Sequence, residues 1–347
     1  MRTHSRIRKI LIATAVIAIT TGLAGPTALA QSPAYPAKTV RIVINYTPGG
    51  PSDLVARSMA AKMGEIFGQS FVVDNMPSAN GAIGTLTVAR AAPDGHTLLI
   101  SSAGHTSLAA ALYTDKLPFD PFRDMAPVGM LLTSTQMIVT HPSLNIKTIA
   151  ELVKVAKSRP GQINYGSVGV GSPNHMGIEL MKSMAGIDML HVPYKGTSQV
   201  MQDLVAGRVQ LMLNSMATVV PFTRSGKLVP LAVGSPARSS AAPDVPTMIE
   251  SGFPGFEVST WWAMFAPNKT PTALIARLNS VTHQVLADAQ LAKTFSAQGA
   301  EPAGSTPEFL TKLMREEYDR WRKVIADAKI VAEQDMISKN LSLFRAW

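Results

Sequence analysis

The 347-residue sequence contains no cysteine, so a disulfide, a thiolate metal site and a cysteine nucleophile are all excluded. Exported proteins often rely on disulfides, but a chain this long can bury two cores without them. Charged residues make up only 16% of the chain, and the lysines and arginines are scattered. No basic stripe interleaves with aromatics, which argues against nucleic acid as a partner. Beyond residue 30 no apolar run approaches the ~20 residues of a membrane-spanning helix. Catalytic signatures are missing too. There is no Walker A sequence, no Gly-x-Ser-x-Gly elbow and no His-Glu-x-x-His. Gly169-Val170-Gly171 is followed by Asn174 where a dinucleotide fingerprint needs glycine or alanine. His96, His105, His141, His175 and His191 stand singly on separate expected elements, so no metal centre is expected. Nothing implies a cofactor.

What is present begins with a leader. Arg2, Arg6, Arg8 and Lys9 form a basic stretch, an apolar core follows at 10–19, and Ala28-Leu29-Ala30 offers a small-residue cleavage site. This is the pattern of a secretory signal peptide over 1–30, with cleavage expected between Ala30 and Gln31. No cysteine follows that site, so the mature protein is expected to be soluble in the periplasm rather than lipid-anchored. Removing the leader's four basic residues lowers the formal net charge from +9 to +5. A mildly basic surface favours anionic ligands.

Strand-like and helix-like segments then alternate. Strands are expected at 40–45, 70–74, 97–101, 130–139, 163–167, 189–192, 209–213, 228–233 and 261–266. Helices are expected at 52–67, 82–91, 148–158, 173–184, 198–206 and 217–225, and in a tail at 271–287, 289–298 and 306–328. This alternation predicts an α/β fold of parallel, doubly wound sheets. No Pro/Gly/Ser linker divides the chain, so two domains require the backbone to cross between them more than once. The runs 130–139 and 228–233 are the expected crossings. One lobe is placed at 35–135 plus 236–332 and the other at 136–235, with 333–347 an extension of unknown role. A ligand in such a fold sits in the crevice at the carboxyl ends of the strands.

The loops at those ends carry the candidate site. Tyr46 precedes Pro48-Gly49-Gly50, where glycine allows a sharp turn and close backbone approach. Ser52 or Asp53 can cap the helix that follows, leaving free N–H groups as an anion site. The design recurs at Ser167, Gly169, Gly171 and Ser172, with Pro173 opening the next helix and His175 in its first turn. Weaker cases are Asn80-Gly81 and Tyr194-Lys195-Gly196. Ser102 and Asn214, at further strand ends, complete the candidate ligand contacts. Trp261 and Trp262 begin a strand that would face one ring each way, and one of them could close the cleft.

These residues together resemble the Bug family, the TctC-like binding components of tripartite tricarboxylate transporters. The resemblance rests on Tyr35-Pro36, Val40-Arg41-Ile42-Val43, Pro48-Gly49-Gly50-Pro51-Ser52-Asp53, and Ala89-Arg90-Ala91-Ala92-Pro93-Asp94-Gly95-His96. It continues through Tyr165-Gly166-Ser167, His191-Val192-Pro193-Tyr194-Lys195-Gly196, Pro243-Asp244-Val245-Pro246-Thr247 and Gly299-Ala300-Glu301-Pro302. It implies a two-lobed periplasmic binding protein of type II with two hinge-strand crossovers. It also implies a small carboxylate ligand held mainly by main-chain amides and ordered water, through loops matching 48–53 and 167–172. Two departures stand out. Met76-Pro77-Ser78-Ala79-Asn80-Gly81-Ala82 replaces a common Arg-Pro-Gly-Ala-Gly-Gly-Asn, and Leu213-Asn214-Ser215 replaces Phe-Asp-Asn. They hint at a ligand with an uncharged or aromatic distal end.

The expected function is therefore a monomeric receptor that captures a di- or tricarboxylic or aromatic acid and hands it to a membrane permease. A sensor kinase is an alternative partner. An enzyme on this fold would need a base beside a nucleophile, and the sequence offers no adequate pair.

Overall fold

The computed structural model describes residues 35–49, 51–78, 81–194, 196–296 and 300–330. The expected leader, Gly50, Lys195 and the C-terminal extension lie outside the described residues. The fold is that of the unit beginning at Lys38.

Strand β1 (Val40–Ile44) buries Val40, Ile42, Val43 and Ile44 completely, as a parallel strand covered on both faces must. Helix α1 (Pro51–Phe67) leads to β2 (Phe71–Asn75), and α2 (Ala82–Ala89) to β3 (Thr97–Ser102). Both strands flank β1 in parallel. Buried Asn45 stitches the layer by donating to Ser101 Oγ at 2.9 Å and to Thr85 Oγ1 at 3.3 Å. A short helix, α3 (Ser107–Tyr113), follows, and sequence periodicity does not reveal it. All seven of its residues are buried, so it has no polar face to mark a helical period.

Next come β4 (Met125–Thr140), α4 (Ile149–Ser158), β5 (Asn164–Ser167), α5 (Pro173–Ala185) and β6 (Leu190–Pro193). They are followed by α6 (Thr197–Val205), β7 (Leu211–Ser215), α7 (Met216–Arg224) and β8 (Val229–Val233). Helix α4 starts on a capping box, Thr148 with Glu151, a signal visible in the sequence. Helix α5 is capped by Ser172 and stops at Gly186 in the left-handed conformation. The chain returns through β9 (Ser259–Pro267), α8 (Thr272–Leu286), α9 (Ala289–Ser296), β10 (Glu301–Pro302) and α10 (Pro307–Asp327).

The strand order is β2-β1-β3-β9-β4-β7-β5-β6, with β8 and β10 also on β4. The sixteen residues of β4 serve two half-sheets. Met125 to Thr135 pair with β9, whereas Gln136 to Thr140 pair with β7 and Met137 to Thr140 with β8. The second crossing is the segment joining β8 to β9 rather than the expected run 228–233, because β8 pairs with the Met137–Thr140 end of β4 and stays in the second half-sheet; in that segment Gly234 N donates to Gln136 O and Val258 N to Gly234 O. The half-sheets are not purely parallel as expected. β9 runs antiparallel to both β3 and β4, and β4 antiparallel to β7. A chain that crosses and comes back must enter the central positions in alternating directions. The outer strands keep the parallel βαβ pattern. One apolar cluster gathers Val43, Leu99, Trp261 and Phe265, and another gathers Tyr165, Ile178 and Leu213 together with Leu108 of α3, Phe256 and Trp321 of α10.

Candidate functional site

A cavity of about 810 Å³ opens at the carboxyl ends of β1, β3, β5, β6 and β7. That volume suits a small molecule. Tyr46, two residues past β1, lines it, as do Ser102 at the end of β3, Gly104 and His105 just beyond it, and residues 168–172 after β5. Tyr194, Asn214 and Ser215 contribute from the second half-sheet, Gln136 from the middle of β4, and Thr260 and Trp262 from the start of β9. Among the described residues the wall contains no Asp, Glu, Lys or Arg. An anion there would be held by neutral dipoles, which avoids burying an unpaired cation when the site is empty.

The first loop is tied down by its own side chains. Helix α1 starts at Pro51, so Ser52 and Asp53 lie inside its first turn rather than at the expected cap. Ser52 Oγ accepts from Trp262 Nε1 at 2.7 Å, and both residues line the cavity. The Asp53 carboxylate turns back on the loop. It accepts from Gly49 N at 3.0 Å, Arg57 Nε at 2.9 Å and Asn75 Nδ2 at 2.9 Å. The Arg57 hydrogen bond leads the interactions that hold its pKa down at about 2. Pro48, Gly49 and Asp53 are not on the cavity wall. The Tyr46 hydroxyl bonds Ser102 Oγ, and its ring stacks on His105 with centroids 4.4 Å apart. Burial raises the Tyr46 pKa and lowers that of His105 to about 4, so both are neutral near pH 7.

The second loop uses some of the amides expected to be free. Gly169 N donates to Ser167 Oγ at 3.0 Å and Gly171 N to His175 Nδ1 at 3.1 Å. Gly169, Gly171 and Ser172 remain on the wall, whereas Ser167 and His175 are buried beneath it. Parallel pairing sets His191 opposite Tyr165, and the first turn of α5 lays His175 on top. The imidazole rings stack with centroids 4.1 Å apart. His175 and His191, far apart in sequence, thus form a pair, and burial lowers each pKa to about 4. A base beside a nucleophile also exists, contrary to the sequence reading, because Ser167 Oγ lies 2.6 Å from His191 Nε2. Ser167 is fully buried and off the cavity wall, so this pair has no access to a bound molecule. Gly196 precedes α6 and does not line the cavity, although Thr197 does. Gly81 packs against Asn45 and His105 rather than facing the cavity.

Sequence reasoning leaves out Gly104, His105, Gln136, Thr260 and, as a contact, Trp262. His105 had a usable signal, since it lies just past the carboxyl end of β3. Gln136 ends the polar run Thr133-Ser134-Thr135-Gln136 inside an otherwise apolar strand, a mark of a strand that passes a wet cleft.

Two half-sheets joined by crossing segments around a cleft at their strand ends define a two-lobed binding protein of the periplasmic type. The chain belongs to the TctC family, whose model, described as "Tripartite tricarboxylate transporter family receptor", matches residues 55–330. It is 34% identical to Protein BugT of Bordetella pertussis over 313 residues, 90% of this chain and 96% of that one. Its fold matches Rpa4515 of R. palustris, solved with adipate, at a TM-score of 0.74 and 33% identity, covering 86% of this chain and 99% of that one. It also matches MatC from Rhodopseudomonas palustris, solved with malate, at 0.72 and 32%, covering 84% and 100%.

Proposed function

We propose that the protein is a periplasmic receptor that captures a small carboxylate between its lobes and delivers it to the permease of a tripartite tricarboxylate transporter. The observation that carries this is the uncharged polar cleft at the strand ends, in a chain of this receptor family. The adipate and malate of the solved relatives are carboxylates of the size the cleft accommodates. In this reading the lobes are 35–135 plus 236–332 and 136–235, and the mature chain starts at Gln31. The carboxylate docks where the first turn of α1 faces the loop 168–172. The hydroxyls of Ser52 and Ser102 and the backbone at Val168 and Val170 supply neutral donors, since the Gly169 and Gly171 amides and the Ser172 hydroxyl are engaged within the loop. Closure bends the chain at the crossing strand β4 and at the segment after β8. In this reading the protein binds without turnover, and the buried Ser167–His191 pair does not reach the cleft.

Calorimetric titration of the mature protein with a panel of mono-, di- and tricarboxylic and aromatic acids tests the reading. Binding of at least one acid with micromolar or tighter affinity is expected. A folded protein that binds none of them would overturn it.

A further inference from the structure

His175 lies beneath the loop 168–172 and is 5% exposed. It stands in the first turn of α5, where its own N–H donates to the capping Ser172 Oγ at 3.3 Å. Its Nδ1 accepts from Gly171 N at 3.1 Å. A ring nitrogen that accepts carries no proton, and burial keeps the ring uncharged, with its pKa at about 4. The single ring proton therefore sits on Nε2. Neighbouring rings hold the imidazole in this orientation. His191 of β6 stacks on it with centroids 4.1 Å apart, and Tyr165 of β5 lies at 6.3 Å, within 12° of parallel.

The amides of the loop fall into two sets. Gly169 N donates to Ser167 Oγ at 3.0 Å and Gly171 N to His175, so both are drawn toward side chains buried under the wall. Val168 and Val170, which alternate with them, line the cavity, and their N–H groups have no hydrogen-bond partner among the described residues. A peptide unit is planar, so holding the N–H of Gly171 fixes everything from Val170 Cα to Gly171 Cα. Gly171, at a φ of +77° and without a side chain, has little of its own to hold it there. We infer that His175 is a positioning residue of the anion loop, which by holding Gly171 N keeps the Val170 N–H, one peptide back, set for a bound carboxylate. This rests on the receptor reading above and adds the support that its loop requires. His175, expected from sequence to touch the ligand, acts on it through the backbone instead. Donors fixed before the anion arrives need no ordering on binding, and loosening them costs affinity.

Two readouts test this. In the unliganded mature protein, nitrogen NMR of the imidazole should find Nδ1 unprotonated and Nε2 protonated. Hydrogen exchange at the Gly171 amide should be faster by about tenfold or more in His175→Leu than in the wild type. Calorimetry with adipate, malate, citrate and benzoate, and with the wider panel if none of these binds, reads affinity for the tightest acid. His175→Leu, which has no acceptor, should bind it about tenfold more weakly. His175→Asn, whose Oδ1 branches from Cγ as Nδ1 does, should return both exchange and affinity to within about threefold of wild type. A side chain that only fills space would give the opposite order, since leucine replaces more of the buried ring contacts than asparagine. Wild-type affinity in a folded His175→Leu, or equal losses in the two variants, would overturn the inference. So would a proton on Nδ1 in the wild type, which decides alone if neither variant folds. Failure of every acid, with the ring proton and the Gly171 exchange as expected, would instead overturn the receptor reading and leave His175 as the support of the loop.

Discussion

Asp53 illustrates how a residue at a binding loop can act without touching what is bound. Its carboxylate gathers Gly49 N, Asn75 Nδ2 and Arg57 Nε, and so fixes the turn before α1 to the end of β2. The side chain is almost fully buried, at 8% exposure, while that of Arg57 is half-exposed. The weight therefore falls on the hydrogen bonds that the carboxylate accepts, not on a surface ion pair. Asp53→Ala leaves a backbone amide and an asparagine amide unpaired and should cost about 2 kcal/mol, read by urea denaturation. Asp53→Asn retains one oxygen and should cost about half as much. If Asp53→Ala unfolds at the wild-type urea midpoint, the carboxylate is not the anchor that this geometry describes. Ser52 divides the labour in the same turn. Its hydroxyl holds Trp262, which joins the start of α1 to the start of β9 across the cleft wall.

At the level of elements, the loop between β5 and α5 depends on Gly171. Its φ is +77°, and a Cβ there would lie 2.1 Å from Leu112 Cδ2 on α3. Gly186, at the other end of α5, also has positive φ, +60°, but open space around it. The comparison separates strain from shape. Each Gly→Ala change should cost about 1–2 kcal/mol of backbone strain. Only Gly171→Ala should also displace the cavity wall and weaken carboxylate binding, by tenfold or more in calorimetry. Equal affinity for the two variants would mean that the loop tolerates the displacement. Such elements were largely legible in sequence. Strand–glycine–helix turns announce β1 with α1 and β5 with α5, and the capping residues Thr148, Ser172 and Thr306 mark real helix starts. Three things were not legible. Helix α3 is buried all round and lacks a period. The full length of β4 is hidden because its polar centre and its bulges, near Gly129 and Leu132, break the alternation. The filling of loop amides by Ser167 and His175 depends on contacts made only in three dimensions. For the same reason the site was legible as a set of loops and not as a list of touching atoms. Gln136 reaches the cleft from the middle of a strand, with no glycine turn beside it to mark the place.

For the molecule as a whole, the buried histidines set how stability responds to acid. His105, His175 and His191 each have a pKa lowered from 6.5 to about 4, with burial the largest cause. His175 faces His191, Tyr165 and Lys182, while His191 also feels Glu179, which partly favours its proton. The unfolded chain takes up protons at these sites below pH 6.5, and the folded chain resists until about pH 4. The unfolded state thus binds more protons in that window, and stability rises with pH across it. The histidine contribution is complete above pH 6.5 and is lost as the pH falls toward 4. One group works against this trend. Glu317, buried and accepting from Ser107 Oγ at 2.6 Å and Trp261 Nε1 at 3.1 Å, has its pKa raised by burial. It keeps its proton longer in the folded state, so its own contribution fades as the pH rises through its titration. Asp53, held at about 2, is ionised in both states between pH 7 and about pH 5 and adds to the loss only below that, where the unfolded carboxyl begins to take up its proton. Three histidines against one carboxyl predict a net loss on acidification. Melting followed by circular dichroism should fall by at least ~3 °C between pH 7 and pH 5. His191→Gln, which keeps a polar group near Ser167 Oγ but cannot titrate, should make that fall smaller. A melting temperature independent of pH over this range would contradict the neutral, stacked pair. A fall that His191→Gln leaves unchanged would move its cause to His105, on the cleft wall, where a saturating carboxylate should then alter the slope.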